Sequence, residues 1–168
     1  MRQSFRCACL AGALLLGSAA ALADTVDDAS ALLRKGQPGE ALALVDKLLK
    51  ENPKDARARF VRGVILTEQK KPDEAIAAFR SLNEDRPELP EPYNNLAVIY
   101  AAQGRYDDAR RVLETAVIAN PDYALAHENL GDIYARMAAQ SYQRAGKLDP
   151  KAAGALTKLK LIDQILAN

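Results

Sequence analysis

Apolar residues recur along this chain at the three- and four-residue steps of a helix, not at the two-residue alternation of a strand. Ala41, Val45 and Leu48/Leu49 fall on one face at i, i+4 and i+7/i+8, and Ala75–Phe79–Leu82 and Ala109–Leu113–Ala116/Val117 repeat that face. Breaks punctuate the helical stretches at Gly36-Gln37-Pro38, Lys70-Lys71-Pro72 and Gly104 before Arg105. Glycine suits the left-handed residue that ends a helix. Proline suits the first helical turn, where its missing N–H costs nothing. The pattern predicts helices over about 26–35, 39–51, 56–69, 72–86, 91–103 and 106–119. There is no sustained alternation and no hairpin turn between apolar runs, so the expected class is all-α.

The faces also repeat at a fixed distance. Pro53, Pro87 and Pro121 are 34 residues apart, and so are Ala41, Ala75 and Ala109, and Val45, Phe79 and Leu113. Gly36 and Gly104 lie two periods apart with Lys70 between them; Leu96 and Leu130, and Tyr100 and Tyr134, are one period apart. Over about residues 25–150 the chain resembles the tetratricopeptide repeat (TPR) family, most clearly in YNNLAVIYAAQGRYDDARRVLETAVIANP. The first copy lacks the usual aromatics. The resemblance implies an α-solenoid of antiparallel helix pairs, with repeats at about 24–55, 56–89 and 90–123 and a degenerate fourth at 124–150.

The fourth copy departs from the pattern. Its closing proline belongs at 155 but stands at Pro150, so five residues are missing, and no Gly or Pro occurs from Asp132 through Ala145. Counting back from Pro150, Ala138 and Tyr142 take the places of Ala109 and Leu113. Leu130, Tyr134, Met137, Ser141, Ala145 and Leu148 form an unbroken helical stripe. One long helix over about 124–147 is expected in place of a pair. The loss turns the downstream face by about 140°. Residues 151–168 read as a capping segment built on a final amphipathic helix over 151–167, with Ala155, Leu159, Ile162 and Leu166 on one face and Leu156, Leu161 and Ile165 widening it. A self-association surface is the alternative reading of this end.

Residues 1–23 read as a secretory signal peptide: Arg2 and Arg6, an apolar run from Leu10 to Leu22, and the small-residue site Ala21-Leu22-Ala23 before Asp24. That leaves a TPR domain over 24–168 and predicts a periplasmic protein cleaved after Ala23. Composition changes the picture little. The 168 residues carry 23 Lys+Arg and 22 Asp+Glu, which gives no single-sign field for nucleic acid or an anionic membrane. Both cysteines, Cys7 and Cys9, lie in the signal, so the exported domain has no disulfide and depends on its packed core.

The candidate chemistry is sparse. With one His, no Trp and no thiol in the mature chain, neither a His-rich metal set nor a nucleophile–His pair can be assembled. There is no phosphate-cradling G-x-x-x-x-G-K-[ST] loop and no G-x-G-x-x-G turn. His127 occupies the register of Tyr93 and reads as a packing residue. Asp27/Asp28 and Asp107/Asp108 read as acids at helix starts, opposing the positive dipole end. No catalytic residue, cofactor or metal is expected.

In TPR proteins the first helix of each pair lines a concave groove. The resemblance places Arg57, Phe60, Val61, Val64 and Glu68 there, then Glu91, Asn94, Asn95, Val98 and Ala102, then Glu128, Asn129, Asp132 and Arg136. Asn95 and Asn129, one period apart, are similar to the asparagine ladder with which some TPR proteins hold a peptide main chain. The lysine-rich carboxylate clamp of chaperone-binding members is absent, because Phe60 and Val64 stand where it would need Lys and Asn. Phe60, Val61 and Val64 offer an apolar end, and Glu91, Glu128 and Asp132 an acidic one. The expected function is a non-catalytic periplasmic scaffold or adaptor that binds a protein or peptide segment, in envelope assembly, secretion or protein folding. The alternative is a structural module that forms a homodimer through the long fourth helix and the C-terminal helix.

Overall fold

A computed structural model describes residues 18–167, with side chains from residue 26 onward. The positive start of the expected signal peptide and both cysteines lie outside the described residues. Among the described residues eight helices follow in order: α1 (Ser18–Arg34), α2 (Pro38–Glu51), α3 (Ala56–Glu68), α4 (Pro72–Asp85), α5 (Pro90–Ala102), α6 (Tyr106–Ala119), α7 (Ala124–Leu148) and α8 (Ala153–Leu166). Seven of them match the predicted stretches to within two residues at each end. The first is already helical at Ser18, the first described residue, instead of opening near residue 26, so it runs through the expected cleavage position. The alanine-rich stretch of residues 19–23 has the strongest helix propensity, and nothing in it stops the helix. Asp27 and Asp28 therefore lie inside α1 and not at its start, whereas Asp107 and Asp108 do open α6.

The repeat punctuation is built three times alike. Gly36, Lys70 and Gly104 adopt left-handed backbone, with φ of 74°, 59° and 72°. Directly after each, Gln37, Lys71 and Arg105 donate their N–H to the carbonyls of Leu32, Leu66 and Tyr100 at 2.9–3.0 Å. This six-residue closure satisfies carbonyls that the helix end would otherwise leave open.

Within the array α1 touches α3, α3 touches α5 and α5 touches α7, while α2, α4 and α6 touch only odd-numbered helices. The odd helices thus form the close inner row of a solenoid, and the even helices stand apart on its outer side. Two apolar clusters fill the interior. One joins Val26, Ala29, Ala41, Val45, Leu48, Ala58 and Ile65. The other runs from Leu66 and Phe79 through Leu96, Tyr100 and Leu113 to Ile133.

α7 is one continuous helix of 25 residues. Only Ala126 and Ile133 on it are buried, and Tyr134 and Leu148 of the predicted stripe stay 49% and 76% exposed. α8 touches α7 alone. Its Ala155, Leu159, Ile162 and Leu166 are half-buried, Leu156 lies with its side chain against Gly146 of α7, and Leu161 and Ile165 face out. The C-terminal end is therefore a two-helix hairpin projecting from the last full repeat. Among the described residues no helix is long and apolar enough to cross a membrane.

Candidate functional site: the concave face

The inner row presents the predicted groove residues on α3, α5 and α7, but it uses them unequally. Between α5 and α7 a pocket of about 160 Å³ joins Val98, Asn129, Asp132 and Arg136, four of the predicted residues. Ala97 and Ala101 leave the room for it, and Leu113 of α6 and Ile133 of α7 complete its apolar wall. Sequence reasoning gave these four to the core or left them out. The usable signal was the pair of small residues one helical turn apart on α5, beside the half-exposed Val98.

The α3 end differs from expectation. Phe60, Val61 and Val64 are half-buried and pack against the two core clusters instead of standing free in the groove. The Phe60 ring tilts against Phe79 with centroids 5.8 Å apart. Arg57 is exposed but paired with Asp27 of α1. Glu68 is exposed.

The asparagines do not form a ladder. Asn94 is only 5% exposed and leaves the groove lining. Its Oδ1 accepts a 2.7 Å hydrogen bond from Asn129 Nδ2, which ties α5 to α7. Asn95 Nδ2 donates to the Glu91 carbonyl one turn back, at 2.9 Å. Both amides spend a donor inside the protein, because a partner already lies within reach of each. Each keeps its remaining N–H and, for Asn95 and Asn129, the carbonyl oxygen.

Charge on this face is one-sided. Glu91, Glu128 and Asp132 are exposed without an ion pair, against Arg136 as the nearby cation. Tyr123 borders this acidic end: its burial, and secondarily the Glu91 charge, push the phenol above its ordinary value. His127 is exposed, contrary to the packing role expected for it. The α6–α7 turn puts the Pro121 carbonyl 2.9 Å from its Nε2, which donates to it.

Two family profiles, both described as tetratricopeptide repeat, match residues 26–90 and 66–133. Among solved structures the chain is similar to YrrB, described as a TPR protein with an unusual peptide-binding site: 27% identity, TM-score 0.59, over 64% of this chain. It spans only 55% of the length of that protein. It is also similar to the Yersinia enterocolitica type III secretion chaperone SycD, solved with a peptide of the translocator YopD, at 16% identity and TM-score 0.63 over 70% of this chain and 95% of that one. Pseudomonas aeruginosa pilF aligns at 19% identity and TM-score 0.65 over 85% and 68% of the two chains. These last two likenesses carry the fold alone. No curated protein matches the chain significantly. The 34-residue period, the stacked helix pairs and both profiles agree that the chain belongs to the tetratricopeptide repeat family.

Proposed function

We propose that this chain is a non-catalytic adaptor that holds a segment of another protein against the α5–α7 part of its concave face. The observation that carries this reading is the pocket joining Val98, Asn129, Asp132 and Arg136, an apolar socket with one carboxylate, one guanidinium and one amide in its lining. A complementary segment places one small apolar side chain in the socket and basic residues toward Glu91, Glu128 and Asp132. The peptide-binding site of YrrB supports a peptide as the class of ligand. The test is fluorescence anisotropy with a library of labelled peptides that carry one apolar residue flanked by lysines. Binding should weaken with salt, and Asp132→Lys and Val98→Arg should each reduce it about tenfold or more. Tight binding that both variants retain would overturn the reading.

The same proposal places the mature protein in the periplasm, where it would serve envelope assembly, secretion or folding. The charged start, apolar run and small-residue site of residues 1–23 support export. Mass spectrometry of protein recovered from periplasmic extract should find Asp24 at the N-terminus. An intact Met1 would overturn it.

The projecting hairpin favours a second reading, self-association. Leu148, Leu161 and Ile165 are 76%, 55% and 64% exposed, large apolar side chains left in water at one end of the array. Light scattering over a concentration series tests it, and a concentration-independent monomer would remove it.

A further inference from the structure

The outer helices α4 and α6 do not touch, and the gap between them is a crevice of about 420 Å³ on the opposite side of the solenoid from the groove. That volume lies within the range of ligand pockets. Asn83 of α4 and Tyr100 of α5 line it. They are 7% and 1% exposed. Among the described residues neither end of the Asn83 amide has a hydrogen-bond partner, nor has the Tyr100 hydroxyl. Buried polar groups are nearly always paired, because leaving them unpaired weakens the fold.

The repeat supplies an internal comparison. One period before Asn83 stands Leu49, and one period after it Val117; one period before Tyr100 stands Leu66, and one period after it Tyr134, whose hydroxyl donates to Glu114. The fold itself therefore accepts apolar residues at both positions. The matching crevice between α2 and α4, of about 460 Å³, is lined by Leu49 and has its arginines engaged: Arg59 with Asp85 and Arg62 with Asp46. Only the α4–α6 crevice, of these two, carries open polar groups among the described residues.

Its charges do not select an ionic ligand. Arg111 is held by Asp108, and Arg80 lies over the Tyr100 ring, 5.9 Å from its centroid, with Glu84 as the remaining acid in the lining. What the interior lacks is a donor and an acceptor presented side by side. A residue of an extended strand offers its N–H and C=O on one edge, as it does to a neighbouring strand. A primary amide matches that pair. Leu96 and Val112 add apolar wall for a small side chain. We infer that the α4–α6 crevice is a second binding site, in which the Asn83 amide and the Tyr100 hydroxyl take the main chain of an extended, uncharged segment of a partner polypeptide. This inference is independent of the groove reading and uses none of its residues.

The experiment is an NMR titration of the ¹⁵N-labelled full chain with acetyl-(Ala-Val)₂-N-methylamide, followed at the Asn83 side-chain amide, with thermal unfolding of the variants alongside. The peptide should shift that resonance saturably. Tyr100→Phe should weaken binding roughly fivefold, the loss of one hydrogen bond, and Asp132→Lys in the groove should leave it unchanged. Followed at the Leu96 and Val112 methyls, Asn83→Leu should abolish it. In the absence of peptide, Asn83→Leu and Tyr100→Phe should unfold at the same temperature as the parent or higher, since each replaces an unpaired buried polar group. Lower midpoints in both variants would mean that the groups hold the free fold together, and would overturn the inference. So would an unmoved Asn83 amide at about 10 mM peptide, well above a millimolar Kd. An equal response to acetamide would overturn the strand reading in favour of a side-chain carboxamide.

Discussion

The Phe79 ring lies where a side chain on residue 63 would begin: a Cβ at Gly63 would stand 2.5 Å from Phe79 Cε1. The absence of that one carbon lets α3 and α4 close on each other within the second repeat. Gly131 holds the same register two periods later, yet a Cβ there would meet nothing within 4 Å. α7 runs straight on, so no second helix returns to cover it. Two substitutions of identical chemistry should therefore have opposite signs. Gly63→Ala should destabilise by roughly 1–3 kcal/mol through overpacking. Gly131→Ala should stabilise by about 0.5–1 kcal/mol, because alanine is the better helix residue and fits freely. Urea unfolding measures both, and equal effects would contradict the packing described here.

Lys70 occupies a left-handed position that the two neighbouring junctions give to glycine. A residue with a Cβ is strained there by roughly 1–2 kcal/mol. Glycine relieves that strain but gains entropy in the unfolded chain. The net expectation for Lys70→Gly is a stabilisation of about 0.5–1 kcal/mol, read as a raised thermal midpoint. Lys70→Val should lower it, since a β-branched side chain tolerates this backbone least.

Asp108 opens α6 and accepts hydrogen bonds from Arg105 and then Arg111, which hold its carboxyl below the ordinary 3.8. Its unfolded form therefore binds a proton more readily than its folded form. The resulting stability is present above the unfolded value of about 4 and is lost as pH falls through the folded one. Asp108→Asn should flatten the acid side of a plot of thermal midpoint against pH and leave the neutral-to-basic side parallel to the parent. An unchanged acid limb would show that the two arginines contribute nothing there, as exposed pairs often do.

The helix ends and the fused fourth repeat were legible in the sequence because they depend on local chemistry. Glycine, proline and a five-residue loss act on the chain where they stand. The groove was legible only as a face. Whether a groove side chain is free depends on what the next repeat puts beside it. Asn129 finds Asn94 35 residues away. Phe60 finds Phe79. Arg57 finds Asp27, which was expected at a helix start until α1 proved to begin earlier. The outer crevice was missed for the opposite reason. Asn83 and Tyr100 fall in helical register with core residues, and only their side-chain polar atoms, without a hydrogen bond among the described residues, set them apart.

The continuity of α7 decides where the groove ends. A regular fourth repeat would have broken near Ala138 and folded a second helix back over Gly131. Instead the helix passes from Arg136, at the edge of the α5–α7 pocket, straight into the segment that carries α8. α8 rests on α7, and beyond it only Tyr106 at the start of α6 borders the cleft that Leu159 and Leu166 line. Proline at 138 would remove an i→i−4 hydrogen bond and clash with the preceding turn, at about 3 kcal/mol or more. Glycine there should cost only about 1 kcal/mol. Because the hairpin beyond Ala138 packs on nothing but itself and the start of α6, the loss should be local. Hydrogen exchange of Ala138→Pro should show residues 138–166 deprotected, while α2 through α6 keep their protection. Peptide affinity at the α5–α7 pocket should persist, because Val98, Asn129 and Asp132 lie before the break. A chain that folded back as a tight pair at this point would accept the proline, so unchanged protection in α8 would refute the continuous helix.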